Sequence, residues 1–390
     1  VNSLARFLIP TEILYGPGAS DNLGERVRQL GSTALVVTDR GVVRAGVVEK
    51  IEKSLVASGV KIKRFEGVKP NPDIEIVDRA FQIARTQDTE VLIGIGGGSS
   101  IDVAKAVGLL LANGGASISE YVAGKSIRNP NPPLIAVPTT CGTGSEVTTS
   151  TVVLDPVRKH KVSLRQGTFL CPTLAVIDPH LLTTLPSQVV ASTGMDALTH
   201  AIESYLSLAA SPITEGCALY AIELIGRYLR PATSNPSNLK AIGSMAIAST
   251  IAGMSFGQAS TTLVHGMAHA LGGYVDLPHG LATAVLLPHV MEFNLPADPE
   301  KFARVAQALG QHVEGLTTIE AARLSVKAVR ELMSDVGISE TLETVEVKRE
   351  DIILMSKAAA AEKRLANNPR RVNEEDILKI FEQVFCHESN

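Results

Sequence analysis

The sequence predicts an α/β N-terminal domain built on a parallel sheet, followed by an all-helical C-terminal domain. Three observations carry that expectation. Short apolar runs alternate with helical patterns up to about residue 184. Two of those runs end directly in loops rich in glycine or hydroxyl residues. Beyond Leu185-Pro186, long Ala- and Leu-rich segments take over and no comparable strand recurs. The expected division is 1–184 and 185–390.

A chain of 390 residues with 45% hydrophobic content has room for two cores. Its net charge of −4 comes without a basic stripe, so nucleic acid is not an expected partner, and nothing in the charge draws it to a membrane. No uninterrupted apolar run approaches the roughly 18 residues of a bilayer span. The opening Val1-Asn2-Ser3-Leu4-Ala5-Arg6 has no signal-peptide pattern. Cys141, Cys171, Cys217 and Cys386 are scattered without Cys-x-x-Cys spacing, which points to a reducing, cytoplasmic setting.

Taken in order, residues 16–18 form a Gly-Pro-Gly turn and 22–30 a helix. The run 34–38 reads as a buried strand stopping at Asp39-Arg40-Gly41. A helix over 47–58, a strand over 61–66 and the turn Lys69-Pro70-Asn71-Pro72 follow. A helix over 73–86 then leads to a strand over 91–93. Such alternation makes βαβ units, and βαβ units make a parallel sheet.

The strand 91–93 runs into Gly94-Ile95-Gly96-Gly97-Gly98-Ser99-Ser100, with a helix expected from about Ile101. Glycines let backbone approach an anion closely, and a helix N-terminus offers free N–H groups, so the stretch suits a phosphate. It lacks both the Gly-x-Gly-x-x-Gly spacing and a Gly-Lys-Ser/Thr ending, and a plain strand-to-helix turn is the alternative. Asp102 and Lys105 fall on the helix; Asp102 either orients the loop or complements the helix dipole. The strand 134–137 ends in Pro138-Thr139-Thr140-Cys141-Gly142-Thr143-Gly144-Ser145-Glu146, a second polar loop suited to ribose or pyrophosphate, or a hydrogen-bonded turn. Cys141 within it reads as a small packing residue. Residues 148–154 make one arm of a β-hairpin turning at Asp155-Pro156, with Lys161 on the return, and 174–177 is the last strand.

The helical half carries the strongest chemical signal. Gly194-Met195-Asp196-Ala197-Leu198-Thr199-His200 sets a carboxylate and an imidazole at i and i+4, which stack on one helix face. His265 and His279 follow among small and apolar residues. An Asp-x-x-x-His pair alone is often an exposed helical pair. Four such groups in an apolar setting need a common partner, and Asp196, His200, His265 and His279 form a ligand set for Fe²⁺ or Zn²⁺.

Gly96-Gly97-Gly98-Ser99 with Asp102 and Lys105, the stretch 138–146, the stretch 194–203, and the stretch 263–279 continuing to Pro288-His289 together resemble the iron-containing (group III) alcohol dehydrogenase family. The resemblance runs over essentially the whole chain. It implies a dinucleotide-binding, Rossmann-like first domain and a helical second domain holding Fe²⁺ on Asp196, His200, His265 and His279. His269, one turn after His265, matches a histidine associated with proton transfer, or is a core histidine. Asp39 matches the residue that binds the adenosine ribose, and its charge favours NAD over NADP, although Arg40 beside it keeps NADP open. Asp39 stands about 60 residues before the glycine loop, not about 20 after it as in the usual fingerprint, and this order too is that of the family. Asn71, Gly97, Gly98, Ser99, Thr139, Thr140, Thr148, Ser150, Lys161 and Leu181 match other cofactor positions, and Asp102 joins them as a candidate for the nicotinamide amide. Ser150 and Phe256 fall where the family lines its substrate pocket.

The resemblance thus implies oxidation of small primary alcohols or diols, or reduction of the aldehydes, with hydride passing to or from nicotinamide C4. It also implies a homodimer. Zn²⁺ in place of Fe²⁺ stays open on ligand chemistry alone. A zinc polyol dehydrogenase or a dehydroquinate-synthase-like lyase are the rivals within the fold, and a non-catalytic dinucleotide sensor is the rival outside enzymology.

Overall fold

The computed structural model describes residues 5–157, 160–275, 277–342 and 347–385. Cys386 lies outside them. The chain forms two compact units, Ile9–Leu185 and a helical unit of Pro186–Asn390 joined by the chain up to Leu8. The Leu8 carbonyl accepts a hydrogen bond from Gln258 Nε2 at 3.1 Å, which ties this leading segment to the helical unit.

The first unit contains strands β1 (Glu12–Tyr15), β2 (Thr33–Asp39), β3 (Lys61–Val68), β4 (Val91–Gly96), β5 (Leu134–Pro138), β6 (Ser150–Asp155), β7 (His160–Arg165) and β8 (Leu174–Ile177). Six form one sheet in the order β1-β8-β5-β4-β2-β3, every neighbour parallel, and β6 and β7 form a separate antiparallel hairpin. The central strands β2, β4, β5 and β8 are buried runs of Val, Ile, Leu and Ala, as both faces of a covered parallel sheet require. After β2 the chain steps to β3 on one side; from β4 it proceeds to β5 and β8 on the other. The strand order therefore reverses between β2 and β4. Crevices at such switch points, at the carboxyl ends of the strands, are where open α/β sheets take ligands.

Three local details differ from the sequence expectation. The helix after the glycine run spans Gly98–Asn113, three residues earlier than expected, because Gly97 is its extended N-cap (φ −74°, ψ −174°) and Gly98 already turns helical. Glycine's low helix propensity conceals such a start. Asp39 does not merely end β2: its Oδ1 accepts from Gly41 N–H (2.7 Å) and Val42 N–H (3.1 Å), capping a short helix, Arg40–Arg44. Strand β1 was not foreseen, since its pairing with β8 joins residues more than 150 positions apart.

The second unit is helical among its described residues. Its helix Leu239–Ala259 has the length and apolar character of a membrane span. Gly243, Ser249, Thr250 and Gly253 interrupt it, so no continuous apolar run shows in the sequence. Most of it is buried inside the unit, as in the core helix of a globular bundle.

Candidate functional site

The metal-ligand candidates are assembled by three helices. Ser187–Leu206 carries Asp196, His200 and Glu203 at i, i+4 and i+7, a single helical face. Leu263–Leu271 carries His265 and His269, and His279 opens the helix His279–Asn294 directly after Pro278. Close approach is set by Gly280: a Cβ there would stand 2.4 Å from the Ser192 carbonyl oxygen and 3.3 Å from Asp196 Cβ. Any side chain at 280 would push His279 away from Asp196.

Donor atoms of Asp196, His265 and His279 lie within 4.8 Å of one another. Asp196 Oδ1 is 3.9 Å from His265 Nε2 and 3.9 Å from His279 Nε2. That separation exceeds a hydrogen bond, yet two donors so placed can each lie about 2.0–2.2 Å from one ion between them. The residues fit a divalent cation. The fourth predicted ligand, His200, faces the other carboxylate oxygen: its Nδ1 is 3.9 Å from Asp196 Oδ2, and its ring stacks on His265 (4.4 Å between centroids) and on Phe256 (4.1 Å). Thr283 Oγ1 donates to Asp196 Oδ1 at 3.0 Å and aims that carboxylate. Asp196, His200, His265 and His269 are buried, whereas the His279 side chain is 27% exposed and gives the cluster its open side.

Glu203 belongs to this cluster, and sequence reasoning assigned it no role. Its Oε2 lies 2.5 Å from His265 Nδ1, and its Oε1 accepts from Thr262 Oγ1 (2.9 Å) and Val264 N–H (2.6 Å). The carboxylate thus caps the helix Leu263–Leu271 at its positive end and holds the imidazole with Nε2 as the donor atom. Burial pushes the Glu203 carboxyl up, and the hydrogen bonds from Thr262 and Val264 oppose it. Its i+7 spacing from Asp196 is the signal that could have found it.

His269 lies on the same helix, with ring centroids 6.5 Å from His265 and 5.8 Å from His279. Its Nδ1 accepts from Arg364 Nη2 at 3.2 Å.

The cofactor candidates gather in the other unit, at the carboxyl edge of the sheet. Parallel strands put all their C-terminal ends on one edge, so Asp39 (end of β2), Asn71 (after β3), Gly97–Ser99 (after β4), Thr139–Thr140 (after β5) and Leu181 (after β8) share that edge. The helix Gly98–Asn113 has no side chain capping its first turn, which leaves the Gly98 and Ser99 N–H groups to an anion. Gly96 has φ +148°, and a Cβ there would collide with Ser100 Oγ at 2.5 Å and approach Asp39 Oδ2 at 3.3 Å. Cβ atoms at Gly97 and Gly98 would meet Thr140 Cγ2 at 3.3 Å and Thr143 Cγ2 at 2.8 Å. The glycines therefore let the two polar loops pack against each other beside Asp39. Asn71 takes a left-handed conformation (φ +52°), next to Pro72, whose carbonyl accepts from Leu154 N–H on β6 at 2.9 Å.

Behind this edge, Lys105 is fully buried (0% exposed). Its Nζ reaches Ser145 Oγ (3.1 Å), the Thr148 carbonyl and Oγ1 (both 3.0 Å), and the Ser150 carbonyl (2.8 Å). Asp102 accepts from Ser145 Oγ (2.5 Å) and Val152 N–H (2.9 Å), and its carbonyl accepts from Thr151 Oγ1 (2.7 Å). Burial raises the Asp102 carboxyl and lowers the Lys105 ammonium, and each charge opposes the shift of the other. Together they bind the helix after the glycine loop to Thr148, Ser150 and the hairpin. Lys161 sits on that hairpin, opposite Leu154.

Comparison with known proteins agrees over both units. Residues 10–179 match the family described as iron-containing alcohol dehydrogenase, and residues 190–385 match the Fe-containing alcohol dehydrogenase family, C-terminal. A 1,3-propanediol dehydrogenase of Citrobacter freundii is 41% identical over 382 residues, covering 97% of this chain and 98% of its own. An NAD-dependent methanol dehydrogenase of Bacillus methanolicus is 37% identical, covering 98% of this chain and all of its own. A solved 1,3-propanediol oxidoreductase superposes with a TM-score of 0.94 at 40% identity, over 98% of this chain and 100% of that one. With both halves matched in order and nearly the full length covered, the chain belongs to the iron-containing alcohol dehydrogenase family.

Proposed function

We propose that this enzyme oxidises small primary alcohols or diols with NAD and Fe²⁺, and reduces the corresponding aldehydes in the reverse direction. The observation that carries the proposal is the convergence of Asp196, His265 and His279 within 4.8 Å, in a chain of this family. Asp196, His200, His265 and His279 would hold the iron, which would supply Lewis acidity toward an alcohol or carbonyl oxygen. Glu203 and Thr283 fix the ligand side chains before the ion arrives. The stacked His200–Phe256 pair offers an apolar surface for a short carbon chain.

The cofactor reading assigns the pyrophosphate to Gly97, Gly98 and Ser99 at the helix N-terminus, and the adenosine ribose to Asp39. The Asp39 carboxylate repels a 2′-phosphate, which supports NAD over NADP. Asn71, Thr139, Thr140, Thr148, Ser150, Lys161 and Leu181 line the remainder, and Asp102 acts by holding Ser145 and Val152. His269 hydrogen-bonds the hydroxyl oxygen, and the proton leaves for solvent through bound water. Bound NAD would supply the two-electron hydride acceptor, so the metal would be needed for Lewis acidity and not for redox chemistry. The small-alcohol class follows the relatives, named for 1,3-propanediol and methanol. A homodimer in the cytoplasm completes the reading.

Anaerobic reconstitution with Fe²⁺, and separately with Zn²⁺, followed by NADH absorbance over a panel of methanol, ethanol and 1,3-propanediol, tests it. Metal-dependent NADH formation is expected. NAD binding without turnover under either metal would refute the substrate class.

A further inference from the structure

Beside the metal-ligand cluster lies a second charged group that the reading above leaves without a role. Arg364, on the 3-10 turn Lys363–Asn367, donates from Nη1 to Thr261 Oγ1 at 2.8 Å and from Nη2 to His269 Nδ1 at 3.2 Å. Glu362 Oε2 accepts from Arg364 Nε at 3.2 Å, while Glu362 Oε1 stands 3.6 Å from the same His269 Nδ1. Two opposite charges thus compete for one ring nitrogen. The distances decide between them, because 3.6 Å is outside hydrogen-bonding reach and 3.2 Å is within it.

A guanidinium has five N–H donors, no acceptor, and does not deprotonate in proteins. The imidazole nitrogen facing it must therefore present a lone pair, and the neutral ring must carry its proton on the other nitrogen. We propose that Arg364 is a positioning residue that sets the tautomer of His269, holding Nδ1 as an acceptor and leaving Nε2–H as a hydrogen-bond donor.

His265, one turn earlier on the same helix, is wired the other way. Its Nδ1 faces the Glu203 carboxylate, which draws the proton to Nδ1 and leaves Nε2 as a lone pair. A carboxylate partner makes His265 a metal ligand; a guanidinium partner makes His269 a donor. With its Nδ1 lone pair occupied by Arg364 and its Nε2 protonated, His269 offers no nitrogen to a metal. What it offers is an N–H to the oxygen of an alcohol, an aldehyde or a water. That last consequence rests on the proposed dehydrogenase activity, whereas the tautomer does not.

The test is a long-range ¹H–¹⁵N correlation spectrum of histidine-labelled full-length protein with Zn²⁺, at about pH 8, where an ordinary histidine is neutral. The His269 signals are identified by their loss in His269→Gln. The wild type should show His269 protonated on Nε2, with the ¹⁵N shift of an unprotonated acceptor at Nδ1, and Glu362→Gln should leave that pattern unchanged. Arg364→Ala leaves Glu362 facing Nδ1 and should move the proton to Nδ1. A merely structural Arg364 would alter thermal stability without moving the proton. A wild-type ring protonated on Nδ1, or an Nε2–H pattern persisting in Arg364→Ala, would overturn the proposal. Should Arg364→Ala not fold, the wild-type spectrum decides. No step of the measurement requires turnover, so it can fail while the alcohol assay succeeds, and the reverse.

Discussion

In the α/β unit, the candidate groups for a ligand are mostly the backbone N–H groups of Gly98 and Ser99, which no side chain caps. In the helical unit they are side chains, Asp196, His265 and His279, the first aimed by Thr283 and the second by Glu203. The contrast lies in what each region cannot tolerate. A backbone cradle is spoiled by adding a methyl group, whereas a side-chain cluster is spoiled by removing one donor or the residue that orients it. One buried helix face holds both a candidate ligand carboxylate, Asp196, and at i+7 the carboxylate that orients His265, Glu203. A sheet edge instead draws its parts from the ends of five strands.

The largest expected effect is that of His265→Ala. It removes one of three converging donors and should abolish metal retention, read by elemental analysis, and turnover with it. NAD binding should be retained.

Lys105→Met comes next. It leaves the Asp102 carboxyl buried without its nearby cation and strips the Thr148 and Ser150 carbonyls of a donor. Breaking a buried charge pair costs about 3–5 kcal/mol. The melting transition of the α/β unit should fall and NAD should bind less tightly, with metal content unchanged. If Lys105→Met melted like the wild type, the two cofactor loops would not depend on this tie.

Gly98→Ala sharpens the contrast from the other side. Its Cβ would lie 2.8 Å from Thr143 Cγ2, and such overpacking costs about 1–3 kcal/mol. The KM for NAD should rise, while iron content stays at the wild-type level.

Glu203→Gln keeps the shape of the side chain but lowers the pull on His265 Nδ1. Loss of such an orienting carboxylate weakens metal binding by about 10- to 100-fold. Competition with a chelator measures this directly, and an unchanged affinity would remove Glu203 from the account.

The smallest effect concerns pH. Burial alone would raise the Asp178 carboxyl, but bonds from Ser20 Oγ, Gly18 N–H, Ser20 N–H and His180 N–H prevail and hold it below the ordinary carboxylate range. A lowered folded-state pKa means stability that is full above the unfolded-state value, about 3.9, and lost as pH falls through the folded one. Asp178→Asn should therefore melt earlier than wild type at neutral pH, and the gap should close below about pH 4.

Much of this was legible in the sequence, for identifiable reasons. Alternating apolar runs and helical patterns suffice for a parallel sheet, since strands buried on both faces need continuous apolar segments. Asp196 and His200 stood out because i, i+4 spacing places both on one face. Strand β1 was not legible, because four residues, three of them exposed and Ile13 half-buried, become a strand only by pairing with β8 far along the chain. The dual part played by Asp39, ending β2 and capping the next helix, was hidden by an Arg-Gly pair that reads as a turn. Glu203 and Arg364 escaped for a common reason. A charged residue in a helical sequence reads as solvated surface until its partner is known, and those partners, His265 and His269, lie 62 and 95 positions away.

The most direct test of the central contrast is a crossed titration. His265→Ala and Gly98→Ala would each be titrated with Fe²⁺ under anaerobic conditions and with NAD, beside the wild type. The account predicts that His265→Ala binds NAD normally and loses iron, whereas Gly98→Ala keeps iron and loses NAD affinity. If both variants lost both ligands, or Gly98→Ala bound NAD as the wild type does, the division between a side-chain metal centre and a backbone cofactor cradle would be contradicted.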